Sequence, residues 1–298
     1  MRDRSAYLLL LGMAVCFGGT WPAGKLAVEE VPPFTVAAVR FTIATALLAL
    51  WASTRHGPIR APGWSNVPLV LARGATAVAG YNILFLFGLE LAPASDGAII
   101  VPGFAPVFTV LLGWAVLSER VSRSAVAGLA LAFAGLLFVV DPGGPLEADR
   151  LAGAALFVAG AFCWAIYLLI GRPAIARFGA VTSTLYATAT GTAMLIPFSL
   201  AEQGWRDLEE ARADGWLPML YLAVFGTVLA FVLFYEGVSR IGPARAASFA
   251  MLVPIFGVLS SVVLLGEELG LSLVVGGAAI VAGLWLIQRP DSRRSRTT

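Results

Sequence analysis

The sequence predicts an all-α integral membrane protein, with ten transmembrane helices arranged as two inverted five-helix repeats around a central cavity. Three observations predict it. The 298 residues are 59% hydrophobic and 13% charged, about half the charged share of a soluble domain, and mean hydropathy is +0.85. The apolar runs are continuous over roughly 20 residues, the length that crosses a bilayer as a helix, and lack the short alternation of an outer-membrane barrel. The chain also resembles itself at a shift of 148 residues.

Pro, Gly and charge punctuate the runs and set the elements in order. The first helix, 6–26, follows Met1-Arg2-Asp3-Arg4; its length, the lack of a clear A-x-A site and the nine spans behind it argue for retention rather than signal cleavage. The second, 34–53, follows Pro32-Pro33, and the third, 67–90, follows Pro62-Gly63. The fourth, 95–117, lies between Pro93 and Ser118-Glu119-Arg120, and the fifth, 124–141, stops at Asp141-Pro142-Gly143. The sixth, 151–171, runs from Asp149-Arg150 to Arg172-Pro173, and the seventh, 181–201, from Gly179 to Glu202-Gln203-Gly204. An acidic stretch precedes the eighth, 216–238; Gly266-Glu267-Glu268 separates the ninth, 243–265, from the tenth, 270–288. The units are thus 1–141 (first repeat), 151–288 (second, inverted repeat) and a basic tail, 289–298.

Basic residues resist translocation whereas carboxylates contribute little to orientation. With the N-terminus inside, fourteen of the twenty basic residues fall on inner segments, including Arg55, Arg60, Arg120, Arg177, Arg240 and Arg245. Lys25, Arg150, Arg206 and Arg212 fall outside, together with acids such as Glu30, Glu209, Asp214 and Glu267. Both termini are therefore expected in the cytoplasm, in a bacterial plasma (inner) membrane. The stretch 98–136 overlies 246–284 with fourteen identities, among them Pro106 with Pro254, Phe108 with Phe256, Glu119 with Glu267, Gly128 with Gly276 and Gly135 with Gly283. Upstream, at a shift of 147, Cys16 meets Cys163 and Gly24 meets Gly171. Five helices per unit is an odd number, so the second unit enters the membrane from the opposite side. Inverted repeats are a recurrent architecture of secondary transporters, with the site near the midplane between the halves.

The residues also carry a resemblance. The run Tyr81–Val139, with Pro93-Ala94-Ser95, Pro106-Val107-Phe108, Ser118-Glu119-Arg120 and Gly128, resembles the EamA repeat of the drug/metabolite transporter (DMT) superfamily. So does Tyr221–Leu286, with Gly242-Pro243-Ala244, Pro254-Ile255-Phe256, Gly266-Glu267-Glu268 and Gly276, while Phe17-Gly18-Gly19-Thr20-Trp21 and Val39-Arg40-Phe41 resemble the start of the first copy. The resemblance covers nearly the whole chain and is closest to the YddG-like amino-acid exporters. It implies a ten-helix plasma-membrane transporter whose substrate is a small molecule, a neutral or aromatic amino acid being the first expectation and another metabolite or drug the alternative, as is a channel-like facilitator. Arg40 departs from the internal symmetry, since Ala187 stands at the matching position, and Pro102 meets Ala250; the two halves are not expected to contribute equally.

Polar and aromatic groups deep in the spans are the candidate substrate contacts. Tyr81 and Asn82 lie in the third helix and Trp164 and Tyr167 in the sixth; Asn82 facing lipid would lose its hydrogen bonds. Aromatic faces with few polar groups suit a small amphipathic solute. Thr20 and Trp21 lie toward the outer half, where an interfacial belt is the competing role for Trp21. Arg40, about 10 Å deep at 1.5 Å per residue, needs a partner: a substrate carboxylate, or Asp96 or Glu90. Arg73 is nearer the inner surface, where snorkelling competes. Pro102, Pro106 and Pro254 release backbone carbonyls inside helices four and nine and are the candidate hinges, with Tyr235 and Glu236 a candidate inner gate.

Other chemistries fit poorly. Gly19-Thr20-Trp21-Pro22-Ala23-Gly24-Lys25 matches G-x-x-x-x-G-K, but Leu26 replaces the required Ser/Thr and no strand precedes it. His56 is the single histidine, in a polar loop, which excludes an intramembrane Ser/His pair or bis-histidine haem. Cys16 and Cys163 lie in apolar runs and imply no disulfide or metal framework. No enzyme activity, cofactor, metal or nucleic-acid partner is expected; net charge is +2 with no basic face. The lipid bilayer is the expected surrounding partner. The small-residue spacing of Gly128 with Gly135 and of Gly276 with Gly283 permits close helix packing, within one chain or between two, so monomer and homodimer both remain open.

Overall fold

Every regular element among the described residues of the computed structural model is helical; residues 2–56, 61–117, 123–140, 147–242, 246 and 249–288 are described. In chain order these are α1 (Arg2–Gly18), α2 (Thr20–Glu30), α3 (Pro33–His56), α4 (Val67–Arg73), α5 (Tyr81–Leu91), α6 (Ala94–Leu117), α7 (Arg123–Val140) and α8 (Ala148–Phe178). There follow α9 (Ala180–Glu202), the short α10 (Trp205–Glu210), α11 (Ala213–Ala223), α12 (Ala230–Ile241), α13 (Val253–Leu265) and α14 (Leu271–Gln288). Among the described residues, six segments are long and apolar enough to cross a membrane: Ser5–Glu30, Pro33–Thr54, Trp64–Leu91, Ala94–Val116, Ala148–Gly171 and Ala213–Ile241. Ser124–Val139, Val253–Leu265 and Leu271–Ile287 are shorter apolar helices, and α9 is a full-length helix with buried hydroxyls at Ser183, Thr184, Thr188, Thr192 and Ser199. Arg60, Arg120, Arg245, Glu119, Pro243 and the tail 289–298 lie outside the described residues.

Three features depart from uninterrupted α-helices. The third and eighth runs are each broken by a π-helical segment, Gly74–Gly80 between α4 and α5 and Val224–Leu229 between α11 and α12. A wider turn leaves carbonyls short of their usual donors. Asn82 Nδ2 donates to the Ala77 carbonyl at 2.7 Å, and Thr227 Oγ1 to the Leu222 carbonyl at 2.9 Å, each five residues back. Secondly, Pro102 and Pro106 lie inside the continuous α6, whereas Pro254 does not sit well inside a helix: Met251 and Leu252 form a turn and Pro254 occupies the first turn of α13. There its missing N–H costs nothing, since the first helical donors have no intrahelical partner. Thirdly, α8 continues to Phe178, past Pro173, where Arg177 donates to Asn66 Oδ1; a hydropathy reading stops at Gly171 because the extension is polar.

The two halves meet backbone to backbone along α7 and α14. A Cβ on Gly128 would stand 2.4 Å from the Gly283 carbonyl oxygen, and one on Gly135 2.6 Å from that of Gly276, with the reciprocal pairs equally tight. The small-residue stripes therefore pack within the chain, and only glycine lets the helices approach so closely.

Carboxylates seal one end of the bundle. Glu267, before α14, accepts from the Ala94 and Ser95 amides at 2.7 and 2.9 Å. Glu202, at the end of α9, accepts from the Phe34 and Thr35 amides at 3.3 and 3.0 Å. Both put negative charge at a helix N-terminus, where unpaired amides and the helix dipole favour it. Beside them Arg150 grips Asp96 through Nε and Nη2, at 2.7 and 3.0 Å, and Lys25 donates to the Leu89 carbonyl. The opposite end is held by exposed contacts, Arg240 with Glu236 and with Ser5.

Candidate functional site

The centre of the site is an arginine the apolar chain has buried. Arg40, on α3, is 7% exposed. Its Nη1 donates to Asn82 Oδ1 at 3.0 Å, while Nε and Nη2 share Thr227 Oγ1 at 3.3 and 3.2 Å, and the guanidinium lies 4.8 Å from the Phe41 ring centre. Asn82 and Thr227 are the same side chains that bridge the two π segments. One cation thus ties an irregular helix of the first half to its counterpart in the second.

Among the described residues, all of these partners are neutral. Asp96 is taken by Arg150 and Glu90 is exposed. A guanidinium removed from water without a counter-charge is costly, and its planar fork is suited to a carboxylate.

Aromatic rings continue from this cation toward the other end. Tyr81, in electrostatic reach of Arg40, lies 5.1 Å from Trp164, and Trp164 lies 5.1 Å from Tyr167. The Tyr167 ring in turn faces the Arg73 guanidinium at 4.4 Å. The structure therefore gathers Arg40, Tyr81, Asn82, Trp164 and Tyr167. Trp21 is in the core beside them, 3% exposed, edge-on to Phe85 and Phe157 at 5.1 and 6.0 Å. Thr20 bonds the Phe17 carbonyl at 2.6 Å, and its methyl abuts Gly226. Glu236 stands apart, half-exposed at the far end with Arg240, while Tyr235 turns inward to Thr184 at 3.4 Å.

One partner in the site, Thr227, and the burial of Arg73 were not expected from sequence. Thr227 gives no signal, because a threonine in an apolar helix normally bonds its own backbone. Arg73 was visible as a charge in an apolar run, but it does not snorkel: it is 1% exposed. A separate apolar cavity of about 610 Å³ opens between α1, α2, α11 and α13, lined by Val15, Leu26, Tyr221, Phe256 and Leu259 among others; none of the gathered residues lines it.

Comparison with known proteins places the whole chain among transporters. An uncharacterised transporter of Archaeoglobus fulgidus is 28% identical over 96% of this chain and 98% of its own. A protein of Streptantibioticus cattleyicolor named a probable terminal-alkyne amino-acid exporter is 28% identical over 99% and 97%. A solved crystal structure shares the fold at a TM-score of 0.64, with 22% identity over 99% of both chains. The EamA-like transporter family matches residues 4–141 and 151–289, nearly the full length of a multi-pass helical membrane protein, and the chain belongs to that family.

Proposed function

We propose that this transporter exports neutral or aromatic amino acids across the bacterial inner membrane by alternating access between two inverted five-helix repeats, with both termini in the cytoplasm. The observation that carries this reading is Arg40: a buried cation bonded to neutral groups, at the junction of the halves, next to an aromatic ladder. The substrate carboxylate pairs with Arg40, its ring or side chain lies on Tyr81 and Trp164, and Asn82 and Thr227 hold the guanidinium in place between cycles. Pro102 and Pro106 in α6 and the break before Pro254 supply the bending elements. The amino-acid exporter name of the Streptantibioticus relative supports the substrate class.

In this reading the end closed by Glu267, Glu202 and the Asp96–Arg150 pair is the outer gate, shut in this structure, and its surplus of carboxylates agrees with the distribution of basic residues along the chain. Among the described residues no carboxylate joins the Arg40 cluster, which favours facilitated export over a proton relay. Trp164→Ala tests the site. Expressed at wild-type level, it is expected to lower saturable export of L-phenylalanine by about tenfold, the worth of a lost ring contact; unchanged kinetics would remove Trp164 from the site.

A further inference from the structure

Arg73 is the second buried guanidinium, and nothing in the reading above uses it. It closes α4, directly before the π segment, with its side chain inside the protein rather than at the surface. Arginine offers five N–H donors. Among the described residues one is engaged, Nη1 to the Gly171 carbonyl at 3.2 Å, and Nε is buried without a partner. The guanidinium plane rests on Tyr167, and the Tyr235 hydroxyl, bonded to Thr184, lies within its electrostatic reach. A single carbonyl and two phenols do not balance a desolvated cation.

Asn82, which holds Arg40, stands nine positions after Arg73 on the same span, beyond the π segment. The rings of Tyr81, Trp164 and Tyr167 fill the interval at centre spacings of 5.1 Å. Trp164 is therefore within stacking distance of a solute held by either cation.

We propose that Arg73, with Tyr167 beneath it, is a second carboxylate-binding station on the cytoplasmic side of Arg40, where the solute docks before it is passed along the rings. The inference rests on the amino-acid reading for its physiological ligand, but its chemistry is that of any aromatic carboxylate. The solute carboxylate takes the free Nε–H and a neighbouring Nη–H, its ring lies against Tyr167 and Trp164, and transfer to Arg40 exchanges one guanidinium for the other while Trp164 keeps the ring. Arg73 is then loaded first from the cytoplasm and emptied last on the return path.

Calorimetric binding of phenylacetate to the purified full-length chain tests this, with 2-phenylethanol as the probe lacking the carboxylate. Arg40→Gln is expected to keep phenylacetate binding at the remaining station, and Arg40→Gln with Arg73→Gln to weaken it by about tenfold or more, the worth of a charged hydrogen bond, with 2-phenylethanol unaffected. In proteoliposomes Arg73→Gln is expected to raise half-saturation by L-phenylalanine about tenfold from the cytoplasmic face and to leave it unchanged from the other face. Should Arg73→Gln not fold, Arg73→Lys replaces it: it retains the charge, loses the fork, and is expected to bind phenylacetate less tightly in the Arg40→Gln background. The proposal is overturned if Arg40→Gln alone abolishes phenylacetate binding, if the Arg73 replacement changes nothing in that background, or if the wild type binds no phenylacetate. Phenylalanine flux with binding confined to Arg40 would leave the exporter reading intact; phenylacetate binding at Arg73 without amino-acid flux would do the reverse.

Discussion

The proposed site rests on Arg40, because a helix bundle gains nothing from a cation it must desolvate unless something pairs with it. Its hydrogen bonds to Asn82 and Thr227 position the fork and leave its charge unneutralised, which gives a sharp expectation. Arg40→Lys preserves charge without the bidentate geometry and is expected to raise half-saturation for L-phenylalanine by about tenfold, with a smaller change in maximal rate. Equal flux by Arg40→Gln and wild type in proteoliposomes would show that the cation is structural. Much of this site was legible from residue chemistry: a guanidinium and an amide cannot face lipid, so Arg40 and Asn82 stood out. Thr227 did not, because its hydroxyl is self-satisfying in any helix. Arg73 was visible but its burial was not, since a side chain that long can also reach the interface, and only the packing of Tyr167 and Gly171 around it decides between the two.

Among the elements, the π segments and the glycine stripes carry the most consequence. Hydropathy cannot distinguish a π turn from an α turn, so the irregularities at Gly74–Gly80 and Val224–Leu229 were not legible; the run lengths were. The prolines read as matching hinges differ in fact: Pro102 and Pro106 lie inside the continuous α6, whereas Pro254 stands in the first turn of α13, after the turn at Met251 and Leu252. Gly128 and Gly135 were legible as close-packing positions, but not their partner, which the structure supplies within the chain. Gly135→Val puts branched carbon against the Gly276 carbonyl and is expected to destabilise the fold by about 1–3 kcal/mol, read as a lower thermal midpoint in detergent; an unchanged midpoint would mean that α7 and α14 part without cost. At the sealed end, Glu267→Ala leaves the Ala94 and Ser95 amides uncapped, worth about 1 kcal/mol. Thiol labelling of Ser95→Cys, with Cys16 and Cys163 replaced by Ser, is expected to accelerate in that variant, and equal labelling rates would remove Glu267 from the gate.

Over the whole molecule, fold class followed from composition because a chain with so few charges and apolar runs of this length satisfies its backbone in a membrane only as helices. The internal repeat and the distribution of basic residues then suggested how the helices are related. The asymmetry between the halves was legible, since Ala187 stands where the repeat would place a second Arg40; what could not follow from pattern was that Arg40 bonds to side chains of both halves, Asn82 and Thr227. In the proposed alternating-access cycle, the carboxylate end held by Glu267, Glu202 and the Asp96–Arg150 pair is the closed gate of one state. The most direct test of this account is counterflow in proteoliposomes containing the purified protein, loaded with unlabelled L-phenylalanine and diluted into labelled amino acid. The account predicts saturable, transient accumulation of label for neutral and aromatic amino acids, unchanged by an imposed pH gradient. Flux that rises linearly with concentration without counterflow, or no flux of any amino-acid class, would contradict it.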